Sequence, residues 1–385
     1  MHLCVLGRQP EIGIAELRAV FGNAELVLPN VALVSADLAP NIDRLGSVRK
    51  IGRVIYDNDG NPGKFLTDKF KGLPPGKITL GISHYGKIAS ATNAKKTAIF
   101  LKSHLERSVR VLPNTAAEIS DAATLGNKLG SSPNKVELLM AYIGHRLVIA
   151  ELIGVQNLNA YTLRDRGRPK RDARVGMLPP KLAQIMINLA LGVANFSVES
   201  SNFPGTPTLL DPFCGTGVIL QEAALASFRV YGTDLEPRMI DFTKVNLAWL
   251  QKTHHLNFDP ELQTADATTH VWTVPIDVVA TETYLGQPYT TPPPTEKLQQ
   301  NITTCNTILS KFFANLKSQI TPDVGLCVAV PCWFLNKKTY RLPLTNQLVT
   351  LGYEQIFYSD DQKPLVYRRE NQIVGRELLV LRKAQ

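Results

Sequence analysis

The 385-residue sequence holds only five cysteines, and Cys4, Cys214, Cys305, Cys327 and Cys332 form no C-x-x-C pair and have no histidine at ligand spacing. That pattern indicates neither a disulfide framework nor a zinc site, no metal is expected, and thiols kept reduced fit a cytoplasmic location. No run reaches the ~18 apolar residues of a membrane helix, and the opening MHLCVLGRQPEIG lacks the basic and long apolar stretches of a leader. The expectation is a soluble, unprocessed chain without a membrane partner. Internal repeats are absent and compositional bias is confined to TTPPPT at 290–295, which leaves no basis for a solenoid or a disordered tail.

Acidic residues are the minority, 33 against 42 basic ones, and the imbalance is uneven. Up to residue 175 there are 25 basic and 15 acidic residues; beyond it there are 17 and 18. A polyanion-docking module joined to a neutral module would show this split, because phosphate contacts supply most non-specific nucleic-acid affinity, although a merely basic domain would show it too. The length allows two or three domains at roughly 150 residues each. Residues 2–7 and 31–36 read as short strands around the amphipathic EIGIAELRAVFG, whose Ile14, Leu17, Val20 and Phe21 recur at helical spacing. After the turn-rich DNDGNPG come a strand, KITLGIS, and a helix, TNAKKTAIFLKSHLERS, with Ala98, Leu101 and Leu105 on one face and Lys95, Lys96 and Lys102 on others. A solvated helix face accounts for those lysines as readily as an RNA contact does. KVELLMAYI and RLVIAELIGVQ read as two further strands.

The next segment changes character halfway. Arg164, Arg166, Arg168, Lys170, Arg171 and Arg174 make its first part basic, and it reads as an extended connector. Pro179-Pro180 then opens a helix with Leu182, Ile185, Met186, Leu189 and Val193 on one face. From residue 208 strands and helices alternate, predicting a mostly parallel sheet, and the final PLVYRRE and ELLVLRK read as a hairpin with an antiparallel edge strand.

The chemistry concentrates in Asp211-Pro-Phe-Cys-Gly-Thr-Gly217, between an apolar strand and a helix. Gly215 and Gly217 permit a tight turn and a close ligand approach. A dinucleotide fingerprint needs a third small residue where Leu220 stands, and no second nucleotide loop is present, so an NAD-type oxidoreductase is disfavoured. S-adenosylmethionine carries no phosphate; it needs an acceptor for its amino group, space at the turn and a carboxylate for its ribose. Asp211 suits the first need, Asp234 at the end of RVYGTD suits the ribose, and Asp266 in TADA suits the adenine amino group. Singly, each Asp is as well explained as a strand-end cap; together with the glycine loop they make a cofactor site.

DPFCGTG, GTDLEPRM and TADA resemble the first three motifs of Rossmann-fold RNA methyltransferases. With LGRQPEIGIAELRAVFG, RDRGRPKRDARVGMLPPKLAQIMINLA and YRRENQIVGRELLVL, the sequence is similar to the THUMP-domain tRNA methyltransferases of archaea and eukaryotes that make N2-methylguanosine at tRNA position 10. The resemblance implies an α/β chain: a ferredoxin-like region at 1–76, a THUMP RNA-binding module at 77–156, a basic linker at 157–176, and at 177–385 a Rossmann-fold methyltransferase domain with a mostly parallel seven-stranded sheet. It also implies S-adenosylmethionine held by Asp211, Phe213, Cys214, Gly215, Gly217, Asp234, Leu235, Asp266 and Ala267. The tRNA would be held through Lys95, Lys96, Lys102, Arg164, Arg168, Lys170 and Arg171. The family's Asp-Pro-Pro-Tyr is replaced by Glu282-Thr283-Tyr284-Leu285 before the expected Gly286. Glu282 keeps a carboxylate and Tyr284 a ring, whereas the prolines that would stiffen the turn are gone. Three readings stay open: guanine N2 methylation with a substituted motif, methylation of another RNA or base, and tRNA binding with lost catalysis.

Overall fold

Alternating side chains build the first sheet: Val136, Leu138 and Met140 enter one apolar cluster while Leu139 and Ala141 enter another, as a strand covered on both faces requires. The computed structural model describes residues 1–36, 40–172, 177–194, 206–359, 361–370 and 372–385. It falls into two units, one of residues 1–17 and 21–160, the other of 18–20 and 161–385. In chain order the first part contains β1 (His2–Leu6), α1 (Pro10–Phe21), β2 (Ala24–Leu28), β3 (Val31–Val34), β4 (Val48–Asn58), α2 (Gly63–Lys71), β5 (Ile78–Gly86), α3 (Ala91–His104), β6 (Val109–Val111), α4 (Asp121–Gly126), β7 (Lys135–Ile143) and β8 (Arg146–Val155).

These strands form one eight-stranded sheet in the order β2-β3-β1-β4-β8-β7-β5-β6, with β5 parallel to β6 and β7. The sheet runs across residue 76, because β4 pairs antiparallel with β8. Leu66 and Phe70 of α2 join Ala94, Ala98 and Leu101 of α3 in the cluster on one face. Lys50 and Glu137 are both buried and ion-paired, and Glu137 also accepts from Ser83 Oγ at 2.7 Å and Thr124 Oγ1 at 2.6 Å. Such satisfaction is what a buried carboxylate needs.

The second part continues with α5 (Leu158–Arg166), α6 (Pro180–Val193), β9 (Thr208–Asp211), α7 (Val218–Leu225), β10 (Arg229–Asp234), α8 (Pro237–His254), β11 (Glu261–Thr264), β12 (Val278–Glu282), α9 (Thr295–Lys317), β13 (Gly325–Leu335), β14 (Lys338–Tyr340), β15 (Tyr353–Gln355), β16 (Leu365–Tyr367) and β17 (Val374–Lys383). The expected extended connector is therefore helical over its first half. Asn157 Oδ1 accepts from Ala160 N at 3.0 Å, capping that helix, and Tyr161 and Arg164 are its buried residues. Arg174 lies outside the described residues.

The second sheet runs β11-β10-β9-β12-β13-β17-β15, seven strands, with β14 on β13 and β16 on β17. β11, β10, β9, β12 and β13 are parallel and β17 is antiparallel. This is the expected Rossmann-type arrangement with one correction. The antiparallel strand β17 is not an edge: it lies between β13 on one side and β15 and β16 on the other. Its GRELLVL is buried throughout, which suits an interior strand. Strand order reverses at β9, since β10 and β11 extend to one side and β12 and β13 to the other, and open α/β sheets take ligands beyond the carboxyl ends at such a point. Among the described residues no helix is long and apolar enough to cross a membrane, and no group of three or more His, Cys, Asp and Glu is placed to hold a metal. The five thiols are free and buried.

Candidate cofactor and substrate site

β9 ends at Asp211, and the chain turns through Gly215 (φ +52°) and Gly217 (φ +78°) before α7 begins. Both glycines occupy the left-handed region that side-chain-bearing residues avoid. A Cβ on Gly217 would lie 2.8 Å from Thr243 Cγ2, whereas one on Gly215 would meet nothing within 4 Å. The turn is thus packed from below and open above Gly215. Neighbouring elements hold it: Cys214 N donates to Thr233 O at 2.9 Å, Thr243 Oγ1 to Gly215 O at 2.9 Å, and Asn246 Nδ2 to Thr216 O at 2.8 Å. Leu220, the residue that argued against a dinucleotide, is fully buried, and a Cβ on Gly232 would lie 2.5 Å from its Cδ1. Close packing of α7 on β10 is achieved here by a glycine in the strand.

The structure brings the expected carboxylates to adjacent strand ends. Asp234 accepts from Gly215 N at 2.8 Å and Glu236 N at 3.0 Å, so the second strand end is bonded directly to the glycine turn. Asp266 follows β11, is exposed, and accepts from Thr268 N at 2.9 Å and Thr268 Oγ1 at 2.7 Å. Asp211 is buried and accepts from Thr281 Oγ1 at 2.6 Å and Phe213 N at 3.3 Å. Burial pushes its carboxyl up to about 8 against the pull of those hydrogen bonds, with Asp234 and Glu282 adding to the rise. Burial also raises Asp234, while the Thr268 hydrogen bonds hold Asp266 low. Burial, with the neighbouring carboxylates adding to it, keeps the Asp211 carboxyl protonated near neutral pH, and a cationic ligand group would favour its ionisation.

The remaining cofactor candidates are placed unequally. Leu235 is 69% exposed beside Asp234, an apolar surface open to a ligand. Phe213 is half-buried and stacks edge-on against Phe312 of α9, with centroids 5.1 Å apart. Cys214 and Ala267 are buried, so only their backbones or edges can line a site; burial drives the Cys214 thiol far above its ordinary range.

Glu282 ends β12, and Arg376 Nε of β17 donates to its Oε1. Burial raises the Glu282 carboxyl, and Arg376 opposes that rise. Tyr284 is 40% exposed. The segment after Glu282 is held by hydrogen bonds: Thr283 N and Oγ1 both donate to Ala329 O at 3.1 Å, and buried Asn301 of α9 accepts from Gln287 N at 3.1 Å. Thr281, Thr243, Asn246, Asn301 and Arg376 thus complete the site, and no local motif announces any of them.

The RNA-binding candidates divide by exposure. Lys95, Lys96 and Lys102 on α3 are exposed, as are Lys170 and Arg171. Two expectations need correction. Arg164 is buried and its Nε donates to Glu222 Oε1 at 2.7 Å, while Arg168 is 2% exposed with its guanidinium nitrogens unpartnered among the described residues. Neither offers a charge to a phosphate, because both side chains are buried, Arg164 on the inner side of α5 and Arg168 in the turn after it. The backbone of exposed Lys170, in contrast, is tied to the site: Lys170 N donates to Asn246 Oδ1 and Asn246 Nδ2 to Lys170 O, both at 2.9 Å.

Comparison with known proteins agrees with this geometry. Residues 170–307 match the UPF0020 family model, described as RMKL-like, methyltransferase domain. A tRNA (guanine(10)-N2)-dimethyltransferase of Methanothermobacter thermautotrophicus is 31% identical over 157 residues, 40% of this chain and 39% of that protein. The protein of the same name from Pyrococcus abyssi is 26% identical over 250 residues, 64% of this chain and 66% of that one. The chain therefore matches less than two thirds of the length of either. A crystal structure of TrmN from Thermus thermophilus superposes with a TM-score of 0.50 at 17% identity, covering 99% of both chains. Residues 170–307 are thus similar to the RMKL-like methyltransferase domain, and the sheet that holds them has a Rossmann-type fold.

Proposed function

We propose that the protein is an S-adenosylmethionine-dependent RNA methyltransferase acting on the exocyclic N2 of a guanosine in tRNA. The observation that carries this is the convergence, at the carboxyl ends of β9, β10 and β12, of an open left-handed glycine turn, Asp234 bonded to it, and the Glu282 carboxylate. The two relatives are named as acting on tRNA guanine 10, which supports that choice of substrate.

The residues present fit the cofactor. Asp234 has lone pairs left for the ribose hydroxyls, Asp211 is the acceptor for the amino group, and exposed Asp266 for the adenine amine. Leu235, Phe213 and Ala267 supply apolar surface, and Cys214, Gly215 and Gly217 supply backbone. When bound, S-adenosylmethionine offers a methyl group to the attacking nitrogen as the electrons of the carbon–sulfur bond return to sulfur. Glu282 then takes the proton that the methylated amine must lose. Such a positioned group contributes roughly 10²–10⁴-fold. Tyr284 is the platform on which an extruded base stacks, worth about 1 to 3 kcal/mol. We assign RNA docking to the basic first part of the chain, with 1–76 as the ferredoxin-like and 77–156 as the THUMP-like segment, through Lys95, Lys96 and Lys102, and to Lys170 and Arg171 of the connector.

The test is to incubate the protein with labelled S-adenosylmethionine and unmodified tRNA and to map the modified nucleoside. N2-methylguanosine at position 10 is the expected result, and Glu282→Gln should lower its formation at least about 10²-fold with both ligands still bound. The Arg376 ion pair favours one competing reading, in which Glu282 is only structural and the protein binds RNA without modifying it. Both ligands would then bind and no nucleoside would gain label. Label on a different base or RNA would redirect the assignment.

A further inference from the structure

Arg376 lies on β17, two strands away from Glu282, and reaches it across β13. Register explains how. Glu282 pairs with Ala329, and Arg376 with Pro331, so the two ends of the ion pair flank a face of β13 that presents only an alanine and a proline. Little side chain stands in the way. Both partners are nearly enclosed, with side chains 9% and 14% exposed. Arg376 is the hydrogen-bond partner of Glu282 among the described residues, and it takes Oε1 alone.

We propose that Arg376 is a positioning residue that holds Glu282 as a carboxylate with one acceptor oxygen, Oε2, left for a single N–H of the substrate's exocyclic amine. This rests on the methyltransferase reading and adds to it what replaces the family's proline-stiffened motif: a charge pair across the sheet. Burial explains why an arginine is needed, since it disfavours the Glu282 charge and Arg376 opposes that effect. From β9, Asp211 is the neighbouring carboxyl, and the Glu282 charge adds to its rise; β13 contributes no titratable group at the paired positions Ala329 and Pro331. The neighbouring Glu377 alternates to the other face of β17, where Arg341 pairs with it. Arg376 is thus the positive charge that meets Glu282. Removing an opposite charge at hydrogen-bond range moves a carboxyl upward by about 1 to 3 pH units.

Two readouts on the whole 385-residue chain test this. The first is the pH profile of methyl transfer to tRNA, at saturating cofactor and RNA, for wild type, Arg376→Gln and Arg376→Lys. The second, independent of activity, is the carboxyl ¹³C titration of Glu282, assigned through Glu282→Gln. In Arg376→Gln the acidic limb of kcat and the Glu282 midpoint should both rise by at least about one pH unit. The KM for tRNA should stay within about twofold, and Arg376→Lys should restore most of the shift because it keeps the charge. A folded Arg376→Gln whose titration and profile stay in place, or whose kcat falls equally at every pH, overturns the proposal. Should Arg376→Gln fail to fold, Arg376→Met and Arg376→Lys are compared in the same titration, and equal midpoints overturn it. If wild type methylates no RNA, the functional reading fails by itself, and the titration still decides whether Arg376 keeps Glu282 charged.

Discussion

A carboxyl pushed up to about 8 by burial is mostly neutral at pH 7, so Asp211 must ionise before it can pair with an ammonium group. Cofactor binding should therefore release a proton. Between pH 6 and 7 the affinity for S-adenosylmethionine is expected to strengthen by up to about tenfold, levelling near pH 8 where the ligand's amine begins to lose its own proton. Titration calorimetry in buffers of different ionisation enthalpy would count the proton, and Asp211→Asn should remove both the release and the slope. The same residue sets a stability trend. Its folded value lies above the ordinary 3.8, so the unfolded chain ionises first. Its contribution is complete below about 4 and is lost as pH rises through about 8, and Asp211→Asn should flatten denaturation midpoints across that window. Thr281 donates to Asp211 and Glu282 adds to its rise, so the carboxyls that end β9 and β12 titrate as neighbours.

Helix α5 shows why some elements could be read in advance and others could not. Its buried face is made of Tyr161 and Arg164, so the helical period is written partly in arginine, which reads as solvent-facing connector. The partner that makes burial tolerable, Glu222, is 58 residues away on α7. DPFCGTG, by contrast, was legible because a tight turn, its glycines and its first carboxylate are consecutive, and Asp234 and Asp266 follow at strand ends marked by apolar runs. β7 and β8 were legible for the same reason. β2, β4 and α2 were not: β4 carries Lys50, Gly52 and Arg53 inside its span, and its charged Lys50 is buried only because Glu137 waits on β7. Arg376 and Glu282 are 94 positions apart, and only strand order joins them. The energetic claim for α5 is direct. Arg164→Ala leaves the Glu222 carboxyl buried without its hydrogen-bonded partner, and breaking a buried pair this way costs about 3 to 5 kcal/mol. Glu222 already sits at about 6, so protonation will recover part of that, and Glu222→Gln in the same background should recover more. Urea denaturation would measure it, with exposed Arg171→Ala as the comparison at about 0.5 kcal/mol or less.

Over the whole chain, charge and chemistry are divided: the surplus of basic residues lies before residue 175, and the glycine turn with its strand-end carboxylates lies after it. On the proposed reading the substrate is a polyanion, and exposed Lys95, Lys96 and Lys102 on α3 are the candidates for holding its phosphates. If about five phosphates are neutralised, log K for tRNA should fall with log salt at a slope of about −3.5 to −4.5, at roughly 0.7 to 0.9 per contact. Reversing Lys95 and Lys96 to Glu removes two such contacts and should flatten the slope by about 1.4 to 1.8 while leaving cofactor affinity unchanged. Reversing Arg368 and Arg369, exposed on the later part of the chain, makes the same change in net charge and should alter the slope much less. Filter binding across a salt series with both double variants separates a localised docking surface from a general effect of net charge. Equal losses from the two would mean that the lysines of α3 are only a solvated helix face, and docking would have to be assigned elsewhere on the basic half.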